Sequence, residues 1–236
     1  MENCYEDATR AAAYAQLEFA NTYYLAFRDV PKLLRGAPGP RAMDFGCGTG
    51  RSTRFLKELG FAAVGVDIAS EMIAQARARD PGGDYRLIAG ETLQEFADES
   101  FDAVLSAFPF DNIPGFDAKL RLFRSLRRVL APRGLIINIV SSPEIYTHEW
   151  ATFSTANFPE NRNAKCGDVV RIVTTDFGDR RPCEDILWPD EDYRAVYAQA
   201  GLSVAATLKP LATGDEPYQW VSETAVAPWV IYALAR

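Results

Sequence analysis

The segment MDFGCGTG, residues 43–50, closes a short apolar run and leads directly into a helical pattern. Glycine at positions 46, 48 and 50 removes the side chain from every second residue of that junction. A backbone bared in this way turns sharply and lets a ligand approach where a Cβ would collide, while the first N–H groups of the following helix offer donors to a polar group. Strand, bare turn and helix in that order point to an α/β architecture that seats a nucleotide-like cofactor. In a dinucleotide fingerprint the third glycine would stand at position 51, which is arginine here. A nicotinamide reading is weakened by that difference.

The rest of the chain keeps the rhythm. β-rich runs lie at 41–45, 62–66, 85–89, 101–107, 135–140, 203–208 and 229–234. Helical patterns are expected at 49–59, at 71–79 with Ser70 as N-cap, around 94–97, from Asp117 onward, and at 191–200 before Gly201. In the helix after Asp117, Leu120, Phe123, Leu126 and Val129 repeat at helical spacing and the last turn is basic, which suits the helix dipole. The fold expected is α/β, a seven-stranded mostly parallel sheet in a single domain over 1–236, with a helical cap over 1–40. Residues 142–168 show no period and lead to a strand at 169–174, so 142–180 reads as a folded insertion or lid.

Charge narrows what the seat can serve. Lys and Arg number 25 against 32 Asp and Glu, a net charge of −7, which on average repels a phosphate backbone. No nucleic-acid partner is expected. The start of the chain is acidic and no apolar run approaches the roughly 18 residues of a membrane span, so a cytoplasmic protein without a membrane partner is expected. Cys4, Cys47, Cys166 and Cys183 show no paired spacing, fitting neither a zinc site nor a disulfide framework, and no metal is expected.

With Asp44 two residues before its first glycine, the glycine segment resembles motif I of the class I S-adenosylmethionine-dependent methyltransferases. The resemblance continues in VGVD, ending at Asp67, in Gly90-Glu91 where the family often has Gly-Asp, and in ESFDAVLSAFPF and LRRVLAPRG, covering about residues 41–141. It implies a Rossmann-like sheet with its last strand reversed, S-adenosylmethionine as cofactor and S-adenosylhomocysteine as product. Asp67 would accept both ribose hydroxyls, as one carboxylate can. Glu91 would take the adenine amino group on a longer arm than the family's Asp. Ile68 and Thr92 beside these acids, and Ala107 at the end of the fourth strand, join Asp44, Gly46 and Gly48 as implied cofactor contacts. Family members commonly fold an aromatic amino-terminal segment over the cofactor, and AAAYAQLEFANTYYLAFRDVP would supply Tyr14 and Tyr23 to press on it and Arg28 to pair with its methionine carboxylate. The same stretch also reads as a helix packed on the sheet by Phe19, Tyr23 and Phe27, with Arg28 toward solvent.

His148, the single histidine, lies in SPEIYTHEW just past the fifth strand, at the edge where open α/β sheets bind ligands. There an imidazole could act as general base toward a hydroxyl or ring nitrogen; a plain hydrogen-bonding role is the alternative. Phe108, Phe110, Tyr146 and Trp150 could line an aromatic acceptor pocket and Asn112 could orient the acceptor, against the alternatives of core packing and a simple turn in FDNIPG. The fourth strand ends in Ala-Phe-Pro-Phe, unlike the Asp-Pro-Pro-Tyr of enzymes that methylate nucleic-acid amines. The expectation is methyl transfer to O, N or C of a small molecule, such as a secondary metabolite, by a monomer or homodimer. On the same fold, a cofactor-dependent reaction other than methylation, such as cyclisation, and a non-catalytic cofactor-binding module remain open.

Overall fold

The computed structural model describes residues 12, 15, 16, 18–90, 92–176 and 179–236 of the 236-residue chain. Its main sheet is built from β1 (Arg41–Phe45), β2 (Ala62–Asp67), β3 (Asp84–Leu87), β4 (Phe101–Ala107), β5 (Leu130–Ser141), β9 (Ser203–Leu208) and β10 (Trp229–Ala235). These pair in the order β3-β2-β1-β4-β5-β10-β9. All neighbours from β3 to β5 run parallel, and β10 runs antiparallel to both β5 and β9. The seven strands expected from the sequence are therefore all present, with the last one reversed. Strand order turns back on itself between β1 and β4, which opens a crevice at their carboxyl ends, the usual ligand seat of such sheets.

Helices cover both faces, so the central strands are apolar without alternation: β4 and β10 are buried along almost their whole length. One face carries α5 (Phe116–Val129) and α6 (Asp190–Gln199), whose Phe123, Leu126, Val196 and Tyr197 pack on Val104, Ile136 and Tyr232. The other carries α1 (Thr22–Phe27) and α2 (Val30–Leu34), whose Leu25, Ala26, Phe27, Val30 and Leu34 share a core with Ala103, Ile137 and Ile139. Full burial of each such large apolar side chain contributes about 1.5–3 kcal/mol. Beside β1 and β2 lie α3 (Arg51–Glu58) and α4 (Ser70–Arg79). Among the described residues no helix is long and apolar enough to cross a membrane.

Several boundaries differ from the sequence expectation for identifiable reasons. No helix forms around 94–97, because Leu93 has φ 49° and the Arg128 guanidinium takes the carbonyls of Leu93 and Phe96, at 2.7 and 3.0 Å, that a helix would use. Ser70 opens α4 instead of capping it, and Asp117 lies in the first turn of α5 behind Gly115. β5 begins at Leu130, since a register shift in β4 lets Leu130 pair with Phe101. Past β5 the chain builds a second sheet of its own from β6 (Phe153–Ser154), β7 (Val169–Thr174) and β8 (Cys183–Ile186), where only β7 was expected.

Candidate functional site

The glycine turn sits on the crevice. Its Gly46 and Cys47 N–H groups both donate to the Val66 carbonyl at 2.9 Å, which laces the turn to β2. A Cβ added to Gly46 would stand 2.6 Å from Pro109 Cβ, so the loop after β4 packs directly on bare backbone. A Cβ on Gly48, at φ +52°, would meet nothing within 4 Å. That side of the turn is open. Gly48 N–H donates to Asp67 Oδ2 at 2.8 Å and Ala69 N–H to Asp67 Oδ1 at 2.9 Å, fixing the carboxylate beside the opening. Burial raises Asp67 above the usual carboxylate range, opposed by these backbone donors. Asp44, fully buried at the floor, accepts Ser52 Oγ at 2.7 Å and Thr53 Oγ1 at 2.6 Å on Oδ2. Burial pushes it up to about 6 while the two hydroxyls pull it down, and its Oδ1 has no hydrogen-bond partner. Ile68, 58% exposed, presents an apolar face next to Asp67. Gly90 and Thr92 stand exposed across from it, and Tyr14 and Glu91 lie outside the described residues.

The residues expected at the acceptor side fall into separate places. Ala107 is half-buried at the end of β4, and Phe108 follows with φ +74°, a strained backbone for an aromatic residue. The Phe108 ring lies 4.7 Å from Trp229 and 5.8 Å from Tyr23. Tyr23 is itself buried and stacked on Trp229, and burial raises its hydroxyl far above the usual tyrosine value. Tyr23 thus packs in the core that α1 shares with the sheet. Arg28 pairs with Asp29 at 3.2 Å and Glu216 at 3.3 Å and donates to the Leu211 carbonyl. Phe110 is fully buried and stacked at 4.1 Å on Phe123 in the core on the α5 side.

Tyr146 and Trp150 are buried within the insertion, Tyr146 OH donating to Asp185 Oδ2 at 3.0 Å and Trp150 Nε1 to the Ile145 carbonyl at 2.8 Å. Asn112 Nδ2 donates to Asp185 Oδ1 at 2.6 Å and to the Glu184 carbonyl at 2.9 Å, so it ties the end of β4 to β8. His148 is half-buried, with Nδ1 3.0 Å from the Glu144 carbonyl and 3.1 Å from Thr147 Oγ1, and its ring 5.9 Å from Trp150.

Comparison with known proteins decides what this turn belongs to. A family model described as a methyltransferase domain matches residues 43–138. A demethylmenaquinone methyltransferase of Corynebacterium kroppenstedtii is 31% identical over 72% of this chain and 70% of its own. The chain belongs to the S-adenosylmethionine-dependent methyltransferases. An N-demethylindolmycin N-methyltransferase of Streptomyces griseus is 29% identical over 83% of each chain, while some other relatives are matched over about half their own length. A solved S-adenosylmethionine-dependent methyltransferase from Clostridium acetobutylicum shares the fold, with TM-score 0.64 over 99% of both chains at 14% identity.

The methyltransferase's residues fit its cofactor on three observations. Gly48 leaves a cradle that a Cβ would enter, the buried Asp44 Oδ1 lacks a partner, and each Asp67 oxygen, holding one backbone donor, keeps a lone pair for a hydroxyl.

The sequence reading passed over other polar groups that the methyltransferase fold buries. Asp111 accepts Ser141 N–H at 3.0 Å and Ser141 Oγ at 2.8 Å, and burial together with Asp185 raises it well above the usual carboxylate range. Lys119, held between the Trp188 and Tyr193 rings, is lowered by the same burial. Glu223, fully buried, accepts Thr22 Oγ1 at 2.6 Å and the N–H groups of Ala151 and Val221 at 2.8 Å. Nothing in the local sequence marks Asp185 or Glu223, since their partners are far away along the chain.

Proposed function

We propose that this methyltransferase passes the methyl group of S-adenosylmethionine to O, N or C of a small molecule, with a secondary metabolite as the favoured class. The observation that carries the reading is the fixed Asp67 carboxylate beside the open face of Gly48. Relatives named for indolmycin and menaquinone derivatives support a small acceptor, as does a net charge of −7, which disfavours polyanionic substrates. When bound, the cofactor supplies a methyl group already activated on a sulfonium.

The chain's work is then to hold and align. Asp67 takes the ribose hydroxyls, Gly48 lets the backbone approach, and Ile68 faces the adenine. The rings of Phe108, Tyr23 and Trp229 wall the crevice against water, which favours reaction from a fixed geometry. His148, a few residues past β5, would accept a proton from an acceptor that carries one.

Calorimetry with S-adenosylhomocysteine tests the seat. Asp67→Ala should weaken binding roughly 100-fold, since two hydrogen bonds to a charged group are lost. Incubation of the protein with methyl-labelled cofactor and metabolite extracts tests the reaction: label should appear in low-mass products together with S-adenosylhomocysteine. Products lacking the added methyl mass, or equal binding by wild type and Asp67→Ala, would overturn the proposal.

A further inference from the structure

The second sheet meets the main one at a pair of carboxylates. Asp111 closes the short turn after β4 and is buried; it accepts Ser141 N–H at 3.0 Å and Ser141 Oγ at 2.8 Å, and Tyr193 OH stands 3.4 Å from its Oδ1. The next residue, Asn112, donates to Asp185 Oδ1 at 2.6 Å and to the Glu184 carbonyl at 2.9 Å, and Tyr146 OH donates to Asp185 Oδ2 at 3.0 Å. Asp185 belongs to β8 and, being half-buried, is nearer to water than Asp111. Through β7, β8 is joined to β6, whose Phe153 ring lies 5.4 Å from Tyr23 and 5.8 Å from Trp229. The bonds at Asp185 therefore hold a sheet that packs a ring against the aromatic wall of the crevice.

The charge at this junction depends on pH. Burial first, and then the Asp185 charge, push Asp111 up to about 7 against the Ser141 bonds and the Lys119 charge. Lys119, fully buried on α5 with Nζ donating to the Phe110 carbonyl, faces the pair as a cation, and its own burial lowers it. Tyr146, Tyr193 and Tyr197 also face Asp111; burial raises all three well above the usual tyrosine value, so they stay neutral. We propose that Asp111 and Asp185 form a proton-dependent latch: with a proton on Asp111 the second sheet is held to the end of β4, and without it the two charges drive Asp185 toward water and loosen β8. The consequence for an acceptor in the crevice rests on the function proposed above; the latch itself does not.

The sign follows from where the proton is held. In the open state Asp111 meets water and returns to the ordinary value near 4, so the proton is bound only while the latch is closed. Opening is hardest below about 4, grows easier by up to about tenfold per pH unit as pH rises to about 7, and changes no further beyond that.

Hydrogen exchange on the protein without ligand, corrected for the intrinsic rate of each amide at each pH, measures the opening of β8. In the wild type the opening constant should rise roughly 10- to 100-fold between about pH 5 and pH 7 and then level, with the amides of β1 slower throughout, which marks the opening as local. Asp111→Asn, the shape of the protonated acid, should flatten the rise. Asp185→Asn should make it level off at lower pH, and Tyr146→Phe should loosen β8 by a similar factor at every pH. A flat wild-type profile, an unaltered rise in Asp111→Asn, or β8 amides no faster than those of β1 would overturn the latch. Should Asp111→Asn fail to fold, Asp185→Asn decides in its place, an unshifted plateau counting against the latch. Because no ligand is present, failure here leaves the methyl-transfer reading standing, and failure of that reading leaves the latch.

Discussion

Asp44 shows how one buried carboxylate links the site to stability. Among the described residues no counter-ion is in hydrogen-bonding contact with it, and its side-chain donors are Ser52 and Thr53. Its folded pKa of about 6 stands above the unfolded value of 3.8, so the folded state holds a proton that the unfolded chain releases. Stability from this group is complete below about 4 and is lost as pH rises through about 6. In the absence of cofactor, Asp44→Asn should therefore gain on the wild type as pH rises across that window, by about 2–3 kcal/mol in urea unfolding. A difference that is flat or opposite in sign would refute the burial argument. Other residues at this scale were readable to different degrees. Gly46 and Gly48 stood out by their spacing, because a bare turn needs glycine at set positions, while Asp67 was singled out by the resemblance, which puts an acid at the tip of the second strand. Phe108 and Phe110 are two apart and look equivalent in sequence, but the left-handed backbone at Phe108 sends them to opposite cores.

Among the elements, α1, the insertion and the segment before β10 meet at Glu223. Its carboxylate serves a hydroxyl of α1, buried from water, and the partly buried amides of Ala151 and Val221. Replacement by Ala leaves these donors unsatisfied, and about 3 kcal/mol of stability should be lost, with Glu223→Gln losing less because it keeps one acceptor oxygen. Denaturant midpoints at unchanged slope measure this, and a loss below about 0.5 kcal/mol would show that water replaces the carboxylate. The long apolar strands β1, β4 and β10 were legible because both of their faces are covered, so the sequence needs no alternation to declare them. β6 and β8 were not. Two residues, Phe153–Ser154, and the acid-bearing Cys183–Ile186 become strands only through pairing with β7, a long-range effect that no local pattern announces.

For the molecule as a whole, the cofactor half (β1, β2, β4 and their turns) and the half formed by β5, β10, β9 and the insertion share one continuous sheet. A ligand that binds only the folded chain stabilises all of it by mass action, about 2.7 kcal/mol at a hundredfold excess over Kd. For a chain of this length that corresponds to a rise of roughly 5–10 °C in Tm. S-adenosylhomocysteine should produce this shift in a thermal melt and NAD should not. A shift with NAD alone would restore the dinucleotide reading that Arg51 argues against.

The three strands that follow β5 hydrogen-bond to one another and form a sheet separate from the main one. A residue gained or lost there shifts no register among the seven. Selection is thus free to rewrite this region, or to exchange it between lineages, while the nucleoside seat is inherited intact, and such a scaffold can diversify its chemistry by altering one module at a time.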